Sequence, residues 1–246
     1  MLHPDSGQVR GSAPVSTPAT TPTTTATATA TATPTATATP TATAMATATA
    51  SPTTAPSPTA TATPSGPTDR TLVLQGSAAL PDTWITPDQP TTTFGALGQA
   101  HLQGSYTPDR LLILPKLTGL PTGATVQRAT LAVYADGANS VGDTLAAHQI
   151  SKTWSPTTAT YRRPWRSPGM KAGTDYVATP VGTATVGGVG WLEVDVTAAP
   201  RSWLAGSPNR GLMLRLAGGS PAAHYRVHLA DSSNLALRPR LTVVYR

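Results

Sequence analysis

The sequence predicts an antiparallel β-sandwich of jelly-roll type with one short helix, preceded by a disordered tract rich in Thr, Ala and Pro. Residues 13–68 consist almost entirely of Thr, Ala, Pro and Ser, whereas residues 69–246 have an ordinary globular composition. About ten short apolar or alternating segments, separated by Gly and Pro turns, follow the tract. Because only one segment carries helix signals, a sandwich or jelly roll is the expected fold.

The predicted elements follow one another closely along the second part of the chain. Strands are expected at 71–74, 83–85, 96–103, 110–117, 126–134, 143–151, 175–178, 191–196, 212–216, 225–229 and 241–245. Between the strands at 191–196 and 212–216, the pattern predicts a helix over 198–204. Thr197 is a residue type that favours the N-cap, Pro200 suits the first turn, and Gly206 follows the predicted end.

The Thr/Ala/Pro tract is expected to stay outside the folded domain. It has almost no large apolar side chain to bury, so it cannot offset the entropy lost on ordering. Recurrent Pro favours extended, polyproline-like conformations. Residues 1–68 are therefore predicted to be a disordered linker or stalk, and residues 69–246 a β-sandwich domain. The Thr residues of such a tract can carry O-linked sugars, and an unmodified spacer is the alternative.

Composition limits the classes of partner. The chain has no Cys, which excludes disulfides and thiolate metal sites, and no apolar run long enough to span a bilayer. Residues 69–246 contain 16 Lys and Arg against 10 Asp and Glu. This balance tolerates acidic partners, or serves solubility alone. No nucleic-acid motif or Lys/Arg-rich run is present, so neither nucleic acid nor a membrane is an expected partner.

The N-terminal residues lack the apolar region of a signal peptide. Because a linker with nothing before it has nothing to link, we expect the chain to be a piece of a longer secreted protein of bacterial type. Its expected location is extracellular or at the cell surface.

The stretch from Lys152 to Trp165, with Arg166 directly after it, is the strongest candidate for a binding loop. It does not alternate, and it concentrates Arg162, Arg163, Trp165 and Arg166 in a chain with few aromatic residues. Guanidinium groups suit carboxylates and sulfates, and an indole ring suits the apolar face of a sugar. The alternative for Trp165 is that its ring folds back over the end of the domain.

Neither catalysis nor a transition-metal site finds support in the pattern. Glu193 and Asp195 share a strand face, as a glycosidase pair could, but Asp195 is more simply explained by capping the following helix. A weak calcium site is predicted at Asp82 and Asp231, with Asp109 and Asp143 also available. Turn capping is the alternative role for these acids.

In order and spacing, the motifs of residues 71–246 resemble those of the DNRLRE, or disaggregatase-related, domain. The segments that carry the resemblance include DTWI at 82–85, LTGLPTGATV at 117–126, ATY at 159–161, DVT at 195–197, RGL at 210–212 and RPRL at 238–241. Arg162 and Arg163 stand where that family often has two Asn, which makes the candidate loop basic. Some members of the family are classed as carbohydrate-binding modules.

The resemblance implies a non-catalytic extracellular module that binds carbohydrate. The basic loop adds the expectation that the ligand is an anionic polysaccharide. The alternative function is a structural or adhesive cell-surface domain with no glycan ligand, which spaces other domains.

Overall fold

The computed structural model describes residues 68–246, which form a two-layered antiparallel β structure with a short α-helix. The strands are β1 (Arg70–Gln75), β2 (Asp82–Ile85), β3 (Gln99–Gln103), β4 (Arg110–Ile113), β5 (Val126–Ala138), β6 (Thr144–Gln149), β7 (Gly182–Thr185), β8 (Gly190–Asp195), β9 (Leu212–Gly218), β10 (His224–His228) and β11 (Arg240–Tyr245). Helix α1 spans Ala198–Leu204, and a 3-10 turn spans Leu235–Leu237. Apart from Thr68, the tract predicted to be disordered lies outside the described residues.

Strands β3 to β10 have the topology of a jelly roll, as predicted. In one sheet β3 pairs with β10, β10 with β5, and β5 with β8; in the other β4 pairs with β9, β9 with β6, and β6 with β7. These are the two four-stranded orders of an eight-stranded jelly roll. The first sheet is extended by β11 and β1, and the second by β2, which gives six and five strands.

The main hydrophobic core, here called the inner cluster, lies between the two sheets. Alternate residues of each strand point into it, as the period of a strand requires. Strand β5 contributes Ala129, Leu131, Val133 and Ala135, all with no exposed surface. Alternation of inward apolar and outward polar residues is the pattern that predicted these strands from the sequence, and its success explains why most of them lie where expected.

The structure corrects two details of the strand prediction. Residues 175–178 are not a strand, because Tyr176 makes only isolated bridges to Ile150 and Ala172. Strand β7, which was not predicted, pairs with β6 at the edge of the five-stranded sheet. Its sequence, GTAT, has no large apolar side chain, so the alternation of apolar and polar residues that marks a strand is absent there.

The predicted helix has the expected bounds, but its start is stabilised differently from the expectation. Thr197 occupies the N-cap position without a side-chain capping bond. Its hydroxyl instead accepts a hydrogen bond from the Ala129 amide at 2.8 Å, while Asp195 Oδ1 accepts from the Thr197 amide at 2.8 Å. Asp195 thus organises the turn before the helix, which is the non-catalytic role expected for it. Among residues 68–246, no helix is long and apolar enough to cross a membrane.

Candidate functional site

A second hydrophobic cluster, here called the outer cluster, covers the other face of the five-stranded sheet. Ile85, Leu112 and Met213 reach it from β2, β4 and β9. The remaining buried members come from the chain after β6: Ile150, Trp154, Ala159, Trp165, Met170 and Tyr176. Residues 151–181, here called the covering segment, therefore pack on the sheet through their own apolar side chains, and the predicted binding loop is part of a small core.

Asp175 holds the covering segment together from within. Its side chain is completely buried, and its two carboxylate oxygens accept from the Arg166 amide at 2.8 and 3.0 Å. Oδ2 also accepts from the Lys171 amide at 2.7 Å. Three charge-assisted bonds to main-chain amides compensate the burial of this carboxylate and fix the path of the chain around Arg166. The sequence pattern placed Asp175 in a strand and gave no indication of this role.

A tight turn at Thr160 positions the two neighbouring arginines. The hydroxyl of Thr160 accepts from the amides of Arg162 and Arg163 at 3.2 and 3.1 Å, and Trp165 Nε1 donates to the Thr160 carbonyl at 2.8 Å. The arginine side chains are exposed, whereas only 7% of Trp165 is accessible. The turn therefore directs the guanidinium groups outward and the indole inward.

The predicted binding residues thus separate into two groups. Arg162, Arg163 and Arg166 all have exposed side chains. Trp165 follows the alternative stated for it, because its ring folds back into the outer cluster and presents no open face for a sugar to stack on. A role for the three arginines in binding stays a prediction.

A groove of about 450 Å³ lies beside these arginines. Its lining consists of Thr91, Thr93, Thr157, Thr158, Thr160, Arg163 and Pro164, and we call it the threonine groove. Two distant parts of the chain form it: the Arg162 amide donates to the Pro90 carbonyl at 3.1 Å, and a Cβ on Gly95 would come within 2.2 Å of the Pro156 carbonyl oxygen. Only glycine permits this approach, so Gly95 helps to set the width of the groove.

The covering segment carries an unneutralised positive charge. It contains Lys152, Arg162, Arg163, Arg166 and Lys171, and its one acid is the buried Asp175. The ion pairs found within residues 68–246 involve other groups: Arg226 and His228 with Asp136, Arg240 with Glu193, and Arg246 with Asp69. This side of the domain therefore attracts anions, and hydroxyl groups in the threonine groove can both donate and accept hydrogen bonds.

The two acids of the predicted calcium site come close together at one end of β2. Only 2% of Asp82 is exposed; its Oδ2 accepts from the Ala230 amide at 2.8 Å, and Oδ1 has no partner among the described residues. Burial, with a contribution from the negative charge of Asp231, raises the pKa of Asp82 to about 7 despite the bond from Ala230. The unpartnered oxygen of Asp82 and the nearby negative charge of Asp231 are the two features that would attract a cation.

Two carboxylates supply only some of the oxygen ligands that a calcium ion needs. Calcium takes six to eight oxygens, so main-chain carbonyls or water would have to supplement two carboxylates. Within residues 68–246 no group of three or more His, Asp or Glu side chains is arranged to hold a metal. Of the other candidate acids, Asp143 accepts from the Ser220 amide at 2.6 Å, and Asp109 accepts from Gln103 Nε2 at 3.0 Å while its Oδ1, like that of Asp82, has no partner in the described part of the chain. Calcium at Asp82 and Asp231 stays a prediction.

The aromatic side chains divide between the two clusters and the surface. Trp84 and Trp203 belong to the inner cluster and Trp154 to the outer cluster. Trp191 and Tyr134 are half-buried on the outer face of the six-stranded sheet. Leu192 and Val194 of β8 point inward, so alternation directs Trp191 outward, where Arg240 lies 4.0 Å from its ring centre.

Comparison with known families identifies one match. The model of carbohydrate-binding module family 96 matches residues 74–245, which is nearly the whole of the jelly-roll domain and its two clusters. No curated protein matches the chain significantly.

Proposed function

The chain belongs to carbohydrate-binding module family 96, and we propose that it binds an anionic polysaccharide without catalysing a reaction on it. The observation that carries this proposal is the position of Arg163, whose side chain lines the threonine groove among five threonines. A guanidinium provides charge and a planar fork for a carboxylate or sulfate, and threonine hydroxyls suit the hydroxyls of a sugar ring.

Charge on the surrounding surface supports an anionic ligand. Arg162 and Arg166 flank the groove in sequence, both are exposed, and no acid of the described chain pairs with them. A polysaccharide with repeated negative charges would meet several of these cations at once. Such exposed contacts add to specificity and to the rate of association more than to affinity at any single point.

The distribution of carboxylates supports a binding role over a catalytic one. A glycosidase generally needs two carboxyls on either side of the scissile bond, and no carboxylate lines the threonine groove. Of the acids nearest in sequence, Asp175 is buried and bonded to amides. Glu193 and Asp195 lie on β8 in the other sheet. Turnover of a polysaccharide by the isolated chain would contradict this part of the proposal.

Extracellular display on the Thr/Ala/Pro tract is part of the same proposal. Carbohydrate-binding modules meet polysaccharides outside the cell. A Pro-rich tract of this composition favours extended conformations and would hold the module at a distance from its point of attachment. The similarity of the ordered motifs to the DNRLRE domain is consistent with this role and stays a prediction. Limited proteolysis should leave a resistant core that begins near Asp69; protection of residues 13–68 would contradict the stalk.

Substitution of single arginines tests the proposed site. Arg163→Ala should lower affinity for a polyuronate by about tenfold or more, which corresponds to about 1.4 kcal/mol. Arg163→Lys keeps the charge but loses the fork, so its affinity should fall between those of the parent and the alanine variant. Isothermal titration calorimetry with the polyuronate and with a neutral glucan measures both effects.

Arg128→Ala is the matched control for these variants. Arg128 is also exposed, but it lies on β5 of the six-stranded sheet, away from the groove. Equal losses in Arg128→Ala and Arg163→Ala would indicate attraction by net charge alone and would contradict a site at the groove. Absence of binding to any polysaccharide would favour the alternative of a structural or adhesive domain.

We also propose that Asp82 and Asp231 bind a structural calcium ion, with the free Oδ1 of Asp82 as its support. Calcium should then raise the melting temperature of the domain, and Asp82→Asn should abolish that increase. An equal increase in the parent and the variant, or none in either, would contradict the site.

A further inference from the structure

Two arginines lie side by side on the outer face of the five-stranded sheet. Leu111 of β4 pairs with Leu214 of β9, so the register places Arg110 next to Arg215 one position further along. Both point to the outer face, because the positions two residues away, Leu112 and Met213, belong to the outer cluster. Two like charges directly opposite on neighbouring strands are unfavourable unless something neutralises them.

No acid of the described chain forms an ion pair with either member of this pair. The Nε atoms of Arg110 and Arg215 are buried and have no hydrogen-bond partner. Arg110 makes one bond, from Nη1 to the Pro108 carbonyl at 2.9 Å, and neither arginine forms an ion pair within residues 68–246. Burial lowers the pKa of Arg110 and the charge of Arg215 adds to that effect, while Tyr176, Tyr161 and Asp109 act in the opposite direction. Buried donors in native proteins normally have partners, so the pair has the chemistry of an unfilled anion site.

His148 adds an unpaired acceptor close to the same place. Its Nδ1 lies 3.0 Å from the Val177 carbonyl, which can only accept, so Nδ1 carries the hydrogen and Nε2 presents a lone pair. Nε2 is buried without a partner. Burial lowers the pKa of His148, as do the charges of Arg215 and Arg110. Two unpaired donors and one unpaired acceptor suit a ligand with both an anionic group and a hydroxyl.

Of these three side chains, Arg215 lines a groove of about 390 Å³, which gives a ligand access to that arginine. Gly104, Pro108, Gly219 and Pro221 contribute to its walls. The backbone at Gly219 has a φ of 107° and packs on Asp143, whose carboxylate a Cβ there would meet at 2.0 Å. This wall is therefore fixed by a close approach that only glycine allows, so the groove keeps its shape.

An exposed aromatic residue, Tyr106, directly follows Ser105, which lines this groove. Tyr106 is 78% exposed, and its amide donates to the carbonyl of Pro221 at 3.2 Å. A phenol ring on the surface of a carbohydrate-binding module is well suited to stack on the apolar face of a sugar. Tyr106 thus offers the exposed ring that the buried Trp165 does not offer at the threonine groove.

We propose that this groove is a second saccharide subsite, in which Arg215, supported by Arg110, binds the carboxylate or sulfate of an anionic sugar while Tyr106 stacks on a sugar ring. This second subsite rests on the proposed function, because it is a second contact for the same class of polysaccharide. Both arginines and the threonine groove lie on the side of the domain that carries the outer cluster, so one long chain can engage both. A polymer that binds at both sites at once has a higher apparent affinity than a short oligosaccharide that binds at one.

Binding of defined oligosaccharides tests the subsite. Oligouronates, sulfated oligosaccharides and neutral oligosaccharides of equal length are titrated into the ¹⁵N-labelled domain, and the Arg Nε–H and Ser220 amide signals are followed. We expect shifts at these signals with one or both anionic series and weak or no shifts with the neutral series; the series that binds more tightly identifies carboxylate or sulfate. Absence of shifts at these signals with every anionic ligand would overturn the subsite.

Variants separate the subsite from the proposed function. Arg215→Gln and Tyr106→Ala should each lower polymer affinity about tenfold or more, while shifts at the threonine groove persist. If only Arg163→Ala affects binding, the second subsite is wrong and the proposed function stands; if no saccharide binds at all, both fail. Because Tyr106 is exposed, its variant tests the subsite even if substitution of Arg215 disturbs folding.

The stability of the ligand-free domain provides an independent test of Arg215. A partly buried arginine without an anionic partner destabilises the ligand-free domain. Arg215→Met should therefore raise the melting temperature of that domain while it lowers the affinity for the saccharide. A lower melting temperature together with unchanged affinity would show that Arg215 has only a structural role.

Discussion

The inner and outer clusters contain similar apolar side chains but are enclosed in different ways. Regular strands on both sides enclose the inner cluster, and each strand supplies alternate residues to it. A sheet encloses the outer cluster on one side only; the other side is the covering segment, held by Asp175 and Thr160 through bonds to main-chain amides. The inner cluster thus maintains the fold, while the outer cluster positions side chains that no strand pattern would place.

The charged groups follow the same division. The exposed arginines without acidic partners border the outer cluster, as do Arg110 and Arg215, whose Nε atoms are unpaired. On the six-stranded sheet, by contrast, Arg226 pairs with Asp136 at 2.7 Å and Arg240 lies over Trp191, although Arg128 is exposed without an ion pair within residues 68–246. Cations without an acidic partner gain from an anion, and those of the covering segment form a group. This difference supports the proposal that the ligand binds on the outer-cluster side.

The largest expected effect on stability comes from the inner cluster. Leu131→Ala should lower the free energy of unfolding by about 2–5 kcal/mol, because Leu131 is fully buried between the sheets. Trp165→Ala should lower it less, since the covering segment can open without unfolding the sandwich. Urea denaturation followed by circular dichroism measures both changes. An equal or greater loss for Trp165→Ala would show that the two clusters unfold as one unit.

The next effect is a pH dependence from two buried carboxyls. Burial raises the pKa of both Asp82 and Asp109 to about 7 from a usual value near 3.8. The folded state thus binds more protons than the unfolded state between these values, so stability should be greatest near pH 4 and decline as the pH rises to about 7. At about 1.4 kcal/mol per pKa unit, each group should contribute up to about 4 kcal/mol.

Thermal melts of the parent, Asp82→Asn and Asp109→Asn between pH 4 and pH 8 check this dependence. Each variant should show a flatter profile than the parent. If calcium binds at Asp82, adding it should hold that carboxyl ionised and flatten the profile of the parent as well. A parent profile that rises between pH 4 and pH 7 without calcium would contradict the assignment.

A smaller and local effect is expected at Asp175. Asp175→Asn replaces one carboxylate oxygen with an amide that faces main-chain donors, at a cost of about 1–3 kcal/mol. Hydrogen exchange should accelerate at the Arg166 and Lys171 amides, with little change in β5. Asp88→Asn, at an exposed acid, is the matched control. Unchanged protection at both amides would show that Asp175 does not hold the segment.

The same comparison explains how much of the molecule could be predicted from sequence. Periodicity of 2 is a local property, so the strands around the inner cluster and the jelly-roll class could be recognised from it. Local signals also located α1, because Thr197, Pro200 and Gly206 mark its ends. Strand β7 escaped because its small residues carry no pattern, and Asp175 was misplaced because its role depends on the fold of its own loop.

The candidate site could be predicted only in part for the same reason. Composition alone identified the basic loop with Arg162, Arg163 and Arg166. The groove depends on Thr91 and Thr93, far away in the sequence, and no local pattern links them to Arg163. The orientation of Trp165 depends on the space beneath it, which the sheet determines. The pairing of Arg110 with Arg215 needed the register of β4 and β9.

The most direct test of a binding site made of unpaired arginines is the salt dependence of polyuronate affinity. Exposed guanidinium–carboxylate attraction weakens as the Debye length falls to about 8 Å at physiological ionic strength. Calorimetric affinity should therefore decrease steeply with added NaCl in the parent and less steeply in Arg163→Ala, and a neutral glucan should bind weakly at every salt concentration. Salt-independent binding, or equal affinity for the neutral glucan, would contradict the assignment of these arginines as ligands.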